Sequence, residues 1–208
     1  MNVLTIKTSL ALFFFIIFIN ACSSNIKKSP SIPLKTHSIE YRIEQVKQLD
    51  IWQITGKVAF IEKDKRQSAT LFWQNNQKVR SQKLTLSTYL GINVLSLTSK
   101  NGLHTVEVDG ESYQSVDLEK LIYSLSGLTL PAEALQYWLK GISYLPSDVI
   151  EYDHHSNLPK QLTSQYNGLT WQIIYDDYQS IKSFQLAKKL TIQQDDLLIK
   201  IRLNQWTL

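Results

Sequence analysis

The sequence predicts a mainly β fold with helices (α+β), in which helices cover one curled antiparallel sheet of about eleven strands. Three observations support this prediction. Most of the chain consists of short segments in which apolar and polar residues alternate, as in half-buried strands. Asn-Gly and Asp-Gly pairs, which are strong hairpin signals, separate several of these segments. Two segments near the middle have helical spacing instead.

The N-terminus has the pattern of a secretory signal peptide. Residues 10–19 (LALFFFIIFI) are all apolar. This run is too short for a membrane span, which needs about 20 residues, but it suits a signal peptide. It leads to Ala21 and Cys22, and Cys22 is the only cysteine of the chain, so an intramolecular disulfide is excluded. We therefore expect residues 1–21 to be removed as a leader.

A lone cysteine that follows a small residue at the end of such a leader resembles the lipobox of bacterial lipoproteins. By this resemblance, Cys22 would carry diacylglycerol on its sulfur, become the new N-terminus and be acylated on its amino group, with no other cofactor. The usual leucine of the motif is replaced by Ile19. The alternative is an ordinary cleaved signal with a stray thiol. Ser23 resembles the default residue of lipoproteins exported to the outer membrane, whereas aspartate there tends to retain them in the inner membrane.

The segment after the cysteine has the composition of a tether. Residues 25–35 (NIKKSPSIPLK) combine prolines, lysines and serines without any period. We therefore divide the chain into a signal peptide (1–21), a lipidated N-terminus and tether (22–35) and one domain (36–208). The net charge is +4, and removal of the leader with Lys7 would lower it to +3. The lysines are scattered among acids, which gives no nucleic-acid footprint but helps modestly near an anionic membrane.

The first half of the domain predicts a helix followed by hairpins. Ile39, Ile43, Val46 and Leu49 recur at helical spacing, so a short helix begins at Thr36 or Ser38 and ends near residue 50. Apolar and polar residues then alternate in strands, and Gly56 permits a bend or a close approach of two backbones. We predict turns at 64–65, 75–76, 101–102 and 109–110, and strands over 51–62, 67–74, 103–108 and 112–115, with a hairpin over 83–99.

The tip of the 83–99 hairpin is apolar, although loop tips normally face water and are polar. The connection reads Thr88-Tyr89-Leu90-Gly91. Leu90 could fold back onto the core, or it could be exposed in order to enter an apolar phase. The lipoprotein leader favours the second interpretation.

The middle of the chain predicts two more helices. Residues 117–126 carry an apolar stripe and end before Gly127. Residues 131–140 begin with Pro131 in the first turn and end before Gly141. The remaining strands are predicted over 149–154, 161–166, 169–175, 186–192 and 197–203. Their apolar faces do not clearly complement a second sheet, so one curled sheet fits better than a sandwich.

Catalytic and metal-binding motifs are not found in the sequence. It contains no G-x-S-x-G, Walker phosphate loop, H-E-x-x-H or C-x-x-C motif. His154 and His155 are adjacent, which is not ligand spacing on a helix. The pairs 176–177 and 195–196 are aspartates that we assign to turns, where aspartate is common. The sequence therefore does not predict an enzyme.

In order along the chain, the leader, the meander and the central helices resemble the LolB family of outer-membrane lipoprotein receptors. The resemblance runs from the leader to Leu208. The segments that carry it are GKVAF (56–60), SATLFW (68–73), YLG (89–91), SGLTLP (126–131), WLKG (138–141), and the closing strand 199–204 with Trp206. None of these segments is a catalytic signature.

The resemblance implies an unclosed antiparallel β-barrel with a helical lid over a hydrophobic cavity. It also implies a monomer in the outer membrane that faces the periplasm, receives acylated lipoproteins from the carrier LolA and releases them into the inner leaflet, without nucleotide hydrolysis. Leu90 falls on the family's protruding-loop leucine, flanked by Gly91 and by Tyr89, where the family more usually has proline. Phe60, Phe72 and Trp138 are candidates to contact acyl chains.

Two other functions are compatible with the same sequence. The chain could be a lipoprotein that binds or stores lipid and transfers nothing. It could also be a structural lipoprotein of an envelope assembly complex that binds partners through its sheet edges.

Overall fold

The computed structural model describes residues 38–208. Its helices α1–α3 span Ile39–Lys47, Leu118–Ser126 and Ala132–Trp138. Its strands β1–β11 span Ile51–Glu62, Lys65–Asn76, Ser81–Ser87, Asn93–Lys100, Leu103–Val108, Glu111–Ser115, Val149–Tyr152, Pro159–Tyr166, Leu169–Ile181, Phe184–Gln194 and Leu197–Thr207. Within the described residues, the predicted strand count and helices are therefore confirmed. None of the described helices is long and apolar enough to span a lipid bilayer.

All eleven strands belong to one sheet, in the order β6-β5-β4-β3-β2-β1-β11-β10-β9-β8-β7. Neighbouring strands are antiparallel throughout. The first and last strands pair in the middle, so β1–β6 extend to one side of the sheet and β7–β11 to the other. Because β6 and β7 occupy the two ends of the order, the sheet is unclosed, as predicted.

The hairpins with Asn-Gly and Asp-Gly have the expected geometry. Both turn residues have positive φ at 101–102 (52° and 82°), 109–110 (52° and 81°) and 167–168 (52° and 74°). Two positive φ values define the type I′ turn, whose twist matches that of the flanking strands. Asparagine, aspartate and glycine adopt this conformation at low cost, which explains why the sequence identified these turns.

Two predicted turns are wrong, and a third is displaced by one residue: Lys65 pairs with Glu62, so the turn is formed by residues 63–64 and not 64–65. Asn75 and Asn76 belong to β2, because the β1–β2 ladder continues to the pair Ile51–Asn76. The turn follows as a 3-10 segment, Gln77–Val79, which ends at Arg80 with φ 46°. Residues 176–177 lie within β9, opposite an irregularity of β10 near residue 188. Their carboxylates form exposed ion pairs with the lysine ammonium groups of β10, at 3.3 and 3.9 Å.

The inner face of the sheet carries the core. Along β1, β9 and β11 every second side chain is buried, while the intervening ones face outward. The largest fully buried side chains are Trp52, Trp138 and Trp171. A smaller cluster lies toward the β6 end of the sheet, where Leu118 and Leu121 of α2 pack with Leu97 and Val106. The helices therefore cover the inner face only, which agrees with one curled sheet.

Gly56 permits the close contact of the first and last strands. A Cβ at this position would overlap the carbonyl oxygen of Arg202 and lie 3.0 Å from the Cα of Leu203. The β1–β11 register also shifts between Thr55 and Gly56. The glycine is therefore required by the approach of two backbones, as the sequence suggested.

The three helices begin and end at recognisable signals. The Ser38 hydroxyl accepts from the Tyr41 amide at 3.2 Å, and this fixes the start of α1. An Asp117 carboxylate oxygen accepts from the Lys120 amide at 3.0 Å and caps α2, which ends at Gly127 with φ 72°. Pro131 is the N-cap of α3, so the helix begins one residue later than predicted and the proline precedes its first turn.

A buried arginine attaches α1 to the rest of the domain. The Arg42 guanidinium donates to the carbonyl oxygens of Gly141 (3.0 Å), Lys140 (2.8 Å) and Gln185 (3.2 Å). Its charge also faces the Tyr178 ring, with 6.0 Å to the ring centroid. Burial lowers the pKa of Arg42 from its ordinary value. Three hydrogen bonds to backbone carbonyl groups therefore join α1 to the segment after α3 and to β10.

Candidate functional site

An apolar cavity of about 120 Å³ lies between the inner face of the sheet and the two central helices. The sheet contributes side chains from β1, β2, β3, β4, β5 and β11, and the helical region contributes side chains from α2, α3 and the segment before α3. The lining comprises Val58, Phe60, Trp73, Gln82, Leu84, Leu86, Leu95, Leu97, Val106, Leu118, Ile122, Leu130, Ala132, Leu135, Ile199 and Ile201. Only Gln82 among these residues is polar, so the cavity suits an apolar ligand.

A chain of hydrogen bonds satisfies the polar end of this cavity. The Gln82 amide oxygen accepts from the Trp73 indole Nε1 at 3.0 Å, and the amide nitrogen donates to Ser99 Oγ at 3.3 Å. Ser99 Oγ also lies 2.7 Å from His104 Nδ1. Burial lowers the pKa of His104 from its ordinary value, which favours the neutral imidazole. Because these side chains hydrogen-bond to one another, the polar end of the cavity has no polar group that needs a further hydrogen-bond partner.

The other end of the cavity leads toward the β3–β4 loop. Leu86 and Leu95 both line the cavity and face each other across β3 and β4. Gln82 lies four residues before Leu86 on β3, so the apolar lining extends about 13 Å along this strand. Ser87 ends β3 immediately after Leu86. The cavity therefore has a polar end at Gln82 and an apolar end beside the loop.

The β3–β4 loop presents its apolar side chains to solvent. The exposed fractions are 91% for Tyr89, 82% for Leu90 and 63% for Ile92. Hydrogen bonds within the loop hold this arrangement: the Thr88 amide donates to the Ile92 carbonyl at 2.8 Å, and the Gly91 amide donates to the Thr88 carbonyl at 3.0 Å. Gly91 has φ +83°, a value that favours glycine. Leu90 therefore does not fold back onto the core.

The three aromatic residues chosen from the sequence lie in different environments. Phe60 lines the cavity. Trp138 is fully buried in the core, with its ring centroid 5.9 Å from that of Trp171, and it is not among the lining residues. Phe72 is half-buried and alternates with the inward-facing Leu71 and Trp73 on β2. The side chain of Phe72 therefore faces outward, away from the cavity.

The other residues that the sequence singled out lie either outside the described part of the chain or in the cavity, and two residues of structural importance were missed. Cys22 and Ser23 lie outside the described residues. The four leucines in the strands of the 83–99 hairpin line the cavity, and their alternation with polar residues was the available signal, although it did not separate cavity from core. Gln82 and Arg42 were missed because a single polar residue in a strand or helix carries no local signature of burial.

A carboxylate on α2 connects this helix to the end of β8 and to the β8–β9 turn, in the other half of the sheet. Glu119 accepts from the Tyr166 hydroxyl at 2.9 Å and from the Asn167 side-chain amide at 2.6 Å. Burial raises the pKa of Glu119 from its ordinary value, although the Tyr166 hydrogen bond opposes this shift. On α3, Glu133 accepts from the Tyr144 hydroxyl at 2.7 Å, and this bond raises the pKa of Tyr144 to about 12. The hydrogen bonds of Glu119 therefore add to the apolar packing of Leu118 and Leu121 in holding α2 over the cavity.

Solved structures share this architecture. A LolA superfamily protein from Nitrosomonas europaea superposes with a TM-score of 0.53 at 6% identity, over 83% of this chain and 94% of the other. A DUF1329 family protein from Desulfovibrio piger superposes with a TM-score of 0.55 at 9% identity, over 81% of this chain and 89% of the other. At such low identity the likeness concerns the fold alone. The fold and the cavity define the class of protein: an unclosed antiparallel β-sheet with helices over its inner face and an apolar cavity between them.

The sequence comparisons narrow this class to one family. Residues 50–206 match the family described as outer membrane lipoprotein LolB. The outer-membrane lipoprotein LolB of Aeromonas salmonicida is 34% identical over 79% of this chain and 80% of its own length. The LolB proteins of Pseudoalteromonas translucida and Shewanella woodyi are 32% and 28% identical over 95% and 99% of this chain, and over 92% and 93% of their own lengths. The chain belongs to the LolB family of outer-membrane lipoproteins.

Proposed function

We propose that this protein accepts acylated lipoproteins from the periplasmic carrier LolA and inserts them into the inner leaflet of the outer membrane. The observation that carries the proposal is the apolar cavity whose apolar end lies beside a loop in which Leu90 is 82% exposed. A cavity and a membrane-seeking tip on one element are what a transfer protein needs, because the ligand must leave one apolar environment and enter another.

The energetics of the ligand require such a site. A lipoprotein carries about three acyl chains, or about 45 methylenes, and exposing them to water would cost on the order of 35 kcal/mol. Transfer therefore proceeds between apolar environments, from the carrier cavity to the receptor cavity and then to the bilayer. No nucleotide hydrolysis is needed when each step is downhill.

The cavity must enlarge to hold a whole acyl chain. An apolar cavity of roughly 150 Å³ takes a ligand of the size of benzene, and this one measures about 120 Å³. The elements that would move away are α2 and the segment before α3, which cover the cavity opposite the sheet. Movement of α2 would break the hydrogen bonds of Glu119 to Tyr166 and Asn167. The same lining residues would then contact the acyl chain, with Phe60 among them.

The loop would perform the release step. Tyr89, Leu90 and Ile92 enter the acyl boundary of the bilayer, while Gly91 gives the loop its tight turn. Transfer of one leucine side chain from water contributes about 1.5–3 kcal/mol, which directs the loop tip to the membrane without anchoring the domain irreversibly. The covalent anchor is Cys22, with Ser23 as the residue that permits export to the outer membrane.

A depletion strain of the native bacterium tests this function. After the protein is depleted, we expect a second outer-membrane lipoprotein, followed by fractionation, to accumulate in the periplasm bound to LolA. Re-expression of the wild-type chain should restore its outer-membrane location. A lipid-storage or structural role would leave the second lipoprotein in the outer membrane, and that result would overturn the proposal.

A further inference from the structure

The outer face of the sheet carries a cluster of cations that packing does not require. Its members, which we call the basic face, are Lys57, Arg66, Lys189, Lys200 and Arg202, and they surround one shallow depression. Lys57 of β1 is the register partner of Arg202 on β11, and Arg202 is the register partner of Lys189 on β10. Three cations therefore lie side by side across three strands.

This arrangement is unfavourable for an isolated domain. Like charges directly opposite each other destabilise an antiparallel pair. Lys189 has a carboxylate within reach, since its Nζ lies 3.9 Å from Asp176 Oδ2. Across residues 38–208, no carboxylate lies within ion-pair distance of the other four members. The basic face therefore has an excess of positive charge that an anionic partner would compensate.

The depression within the basic face has room for an anionic group, and the one carboxylate in its lining, Asp176, is the partner of Lys189. Its floor is formed at Ala59, whose short side chain leaves space between its longer neighbours. Across the strands, Ala59 is the register partner of Ser68 on β2 and of Lys200 on β11. A phosphate above Ala59 would meet a hydroxyl on one side and an ammonium on the other. Arg66 and Arg202 lie diagonally from Ala59 on the two neighbouring strands, Lys57 lies two residues before Ala59 on β1, and Lys189 lies one strand further away, on β10.

The basic face extends toward the end of the sheet that bears the Leu90 loop. Thr70 of β2 is the register partner of Ser87, the last residue of β3. Arg66 lies four residues before Thr70 and thus further in the direction in which the loop projects. The face and the loop would therefore approach the same surface together.

We propose that the basic face binds the phosphate groups of anionic lipids when the loop enters the bilayer, so that the domain lies with this face against the membrane. The proposal rests on the function proposed above, because that function brings the loop to the membrane. Each cation near an anionic surface strengthens binding roughly fivefold, and the effect decays within a Debye length. Removal of four cations should therefore weaken binding at low salt by far more than tenfold.

Vesicle flotation tests the proposal with the mature-length chain, residues 22–208, carrying Cys22→Ala so that only the proposed anchor is missing. The vesicles are phosphatidylcholine alone or phosphatidylcholine mixed with phosphatidylglycerol. The test variant is K57Q/R66Q/K200Q/R202Q. The control removes the same charge from exposed cations elsewhere: Lys47, Lys78, Lys120 and Lys160, each to Gln. Circular dichroism melting establishes that both variants are folded.

We expect the parent chain to bind anionic vesicles in a salt-sensitive manner, the test variant to lose this binding and the control to retain most of it. Equal losses in test and control variants, or equal binding to neutral vesicles, would overturn the proposal. So would displacement by inorganic phosphate at matched ionic strength, which indicates a free-phosphate site, or tighter binding of the same face to polyglutamate. The assay contains no carrier or cargo, so its result is independent of whether the protein transfers lipoproteins.

Discussion

At the residue scale, a substitution of Leu90 tests whether this side chain acts at the surface or in the packed core. Its side chain is 82% exposed, so Leu90→Glu should leave the melting temperature nearly unchanged and cargo acceptance from LolA intact. Release of cargo into membranes should fail, because the change removes about 1.5–3 kcal/mol of leucine transfer and adds a charge that resists entering hydrocarbon. Transfer of a labelled lipoprotein to vesicles measures this step.

A matched control is available in Val116, which is 81% exposed and lies before α2 rather than in the loop. Val116→Glu adds the same charge to an equally exposed apolar position and should leave release unchanged. If Leu90→Glu lowers the melting temperature strongly and abolishes acceptance, Leu90 acts in the folded core and the loop does not insert.

At the scale of elements, the contact between α2 and the β8–β9 turn predicts a pH dependence. Burial raises the pKa of Glu119 in the folded state, so the folded protein binds this proton more tightly than the unfolded chain does. The contribution of Glu119 to stability is therefore fully present below its unfolded pKa and is lost as the pH rises through the folded pKa. Relative to Glu119→Gln, the wild type should gain stability as the pH falls from neutral to acidic.

Urea unfolding of both proteins at several pH values measures this difference. Glu133→Gln serves as the control for the loss of a helix carboxylate, since Glu133 of α3 accepts a hydrogen bond from the Tyr144 hydroxyl. A wild type that loses stability relative to Glu119→Gln on acidification would show that Glu119 acts mainly as an ionised hydrogen-bond acceptor.

At the scale of the whole molecule, membrane anchoring and transfer should be separable. We expect Cys22→Ser to abolish incorporation of labelled palmitate and to leave the precursor uncleaved, because Cys22 is the only thiol that could be acylated. The unanchored chain from residue 23 should still accept cargo from LolA, since the cavity is built entirely from residues 58–201. Normal labelling of the Cys22→Ser precursor would contradict the lipoprotein assignment.

The sequence predicted the strands and turns well where local signals determine them. Asn101-Gly102 and Asp109-Gly110 form the expected turns because few other residues adopt two successive positive φ values. Asn75-Asn76 was misassigned because the length of a ladder depends on its partner, and β1 continues to Ile51. Alternation identified the inner face correctly, but it placed no boundary between a packed core and a cavity.

The candidate site was harder to predict for the same physical reason. Phe60 and Trp138 are both large and apolar, and only the three-dimensional arrangement makes one a cavity residue and the other a core residue. Phe72 was chosen by residue type, although its position between Leu71 and Trp73 assigns it to the outer face. Burial of Arg42 depends on carbonyl groups nearly a hundred or more residues away in sequence, which no local pattern encodes.

The pairing of β1 with β11 has a consequence for the order of folding. Hairpins form within microseconds because their strands are close in sequence, whereas contacts between distant segments slow folding. Gly56 cannot meet Leu203 until almost the whole chain is available. During synthesis, the edge of β1 that later pairs with β11 therefore stays unpaired until almost the whole chain is available. A chain that crosses a membrane must remain unfolded until it has passed through. The β1–β11 pair favours this, because it can form only when the last strand is available.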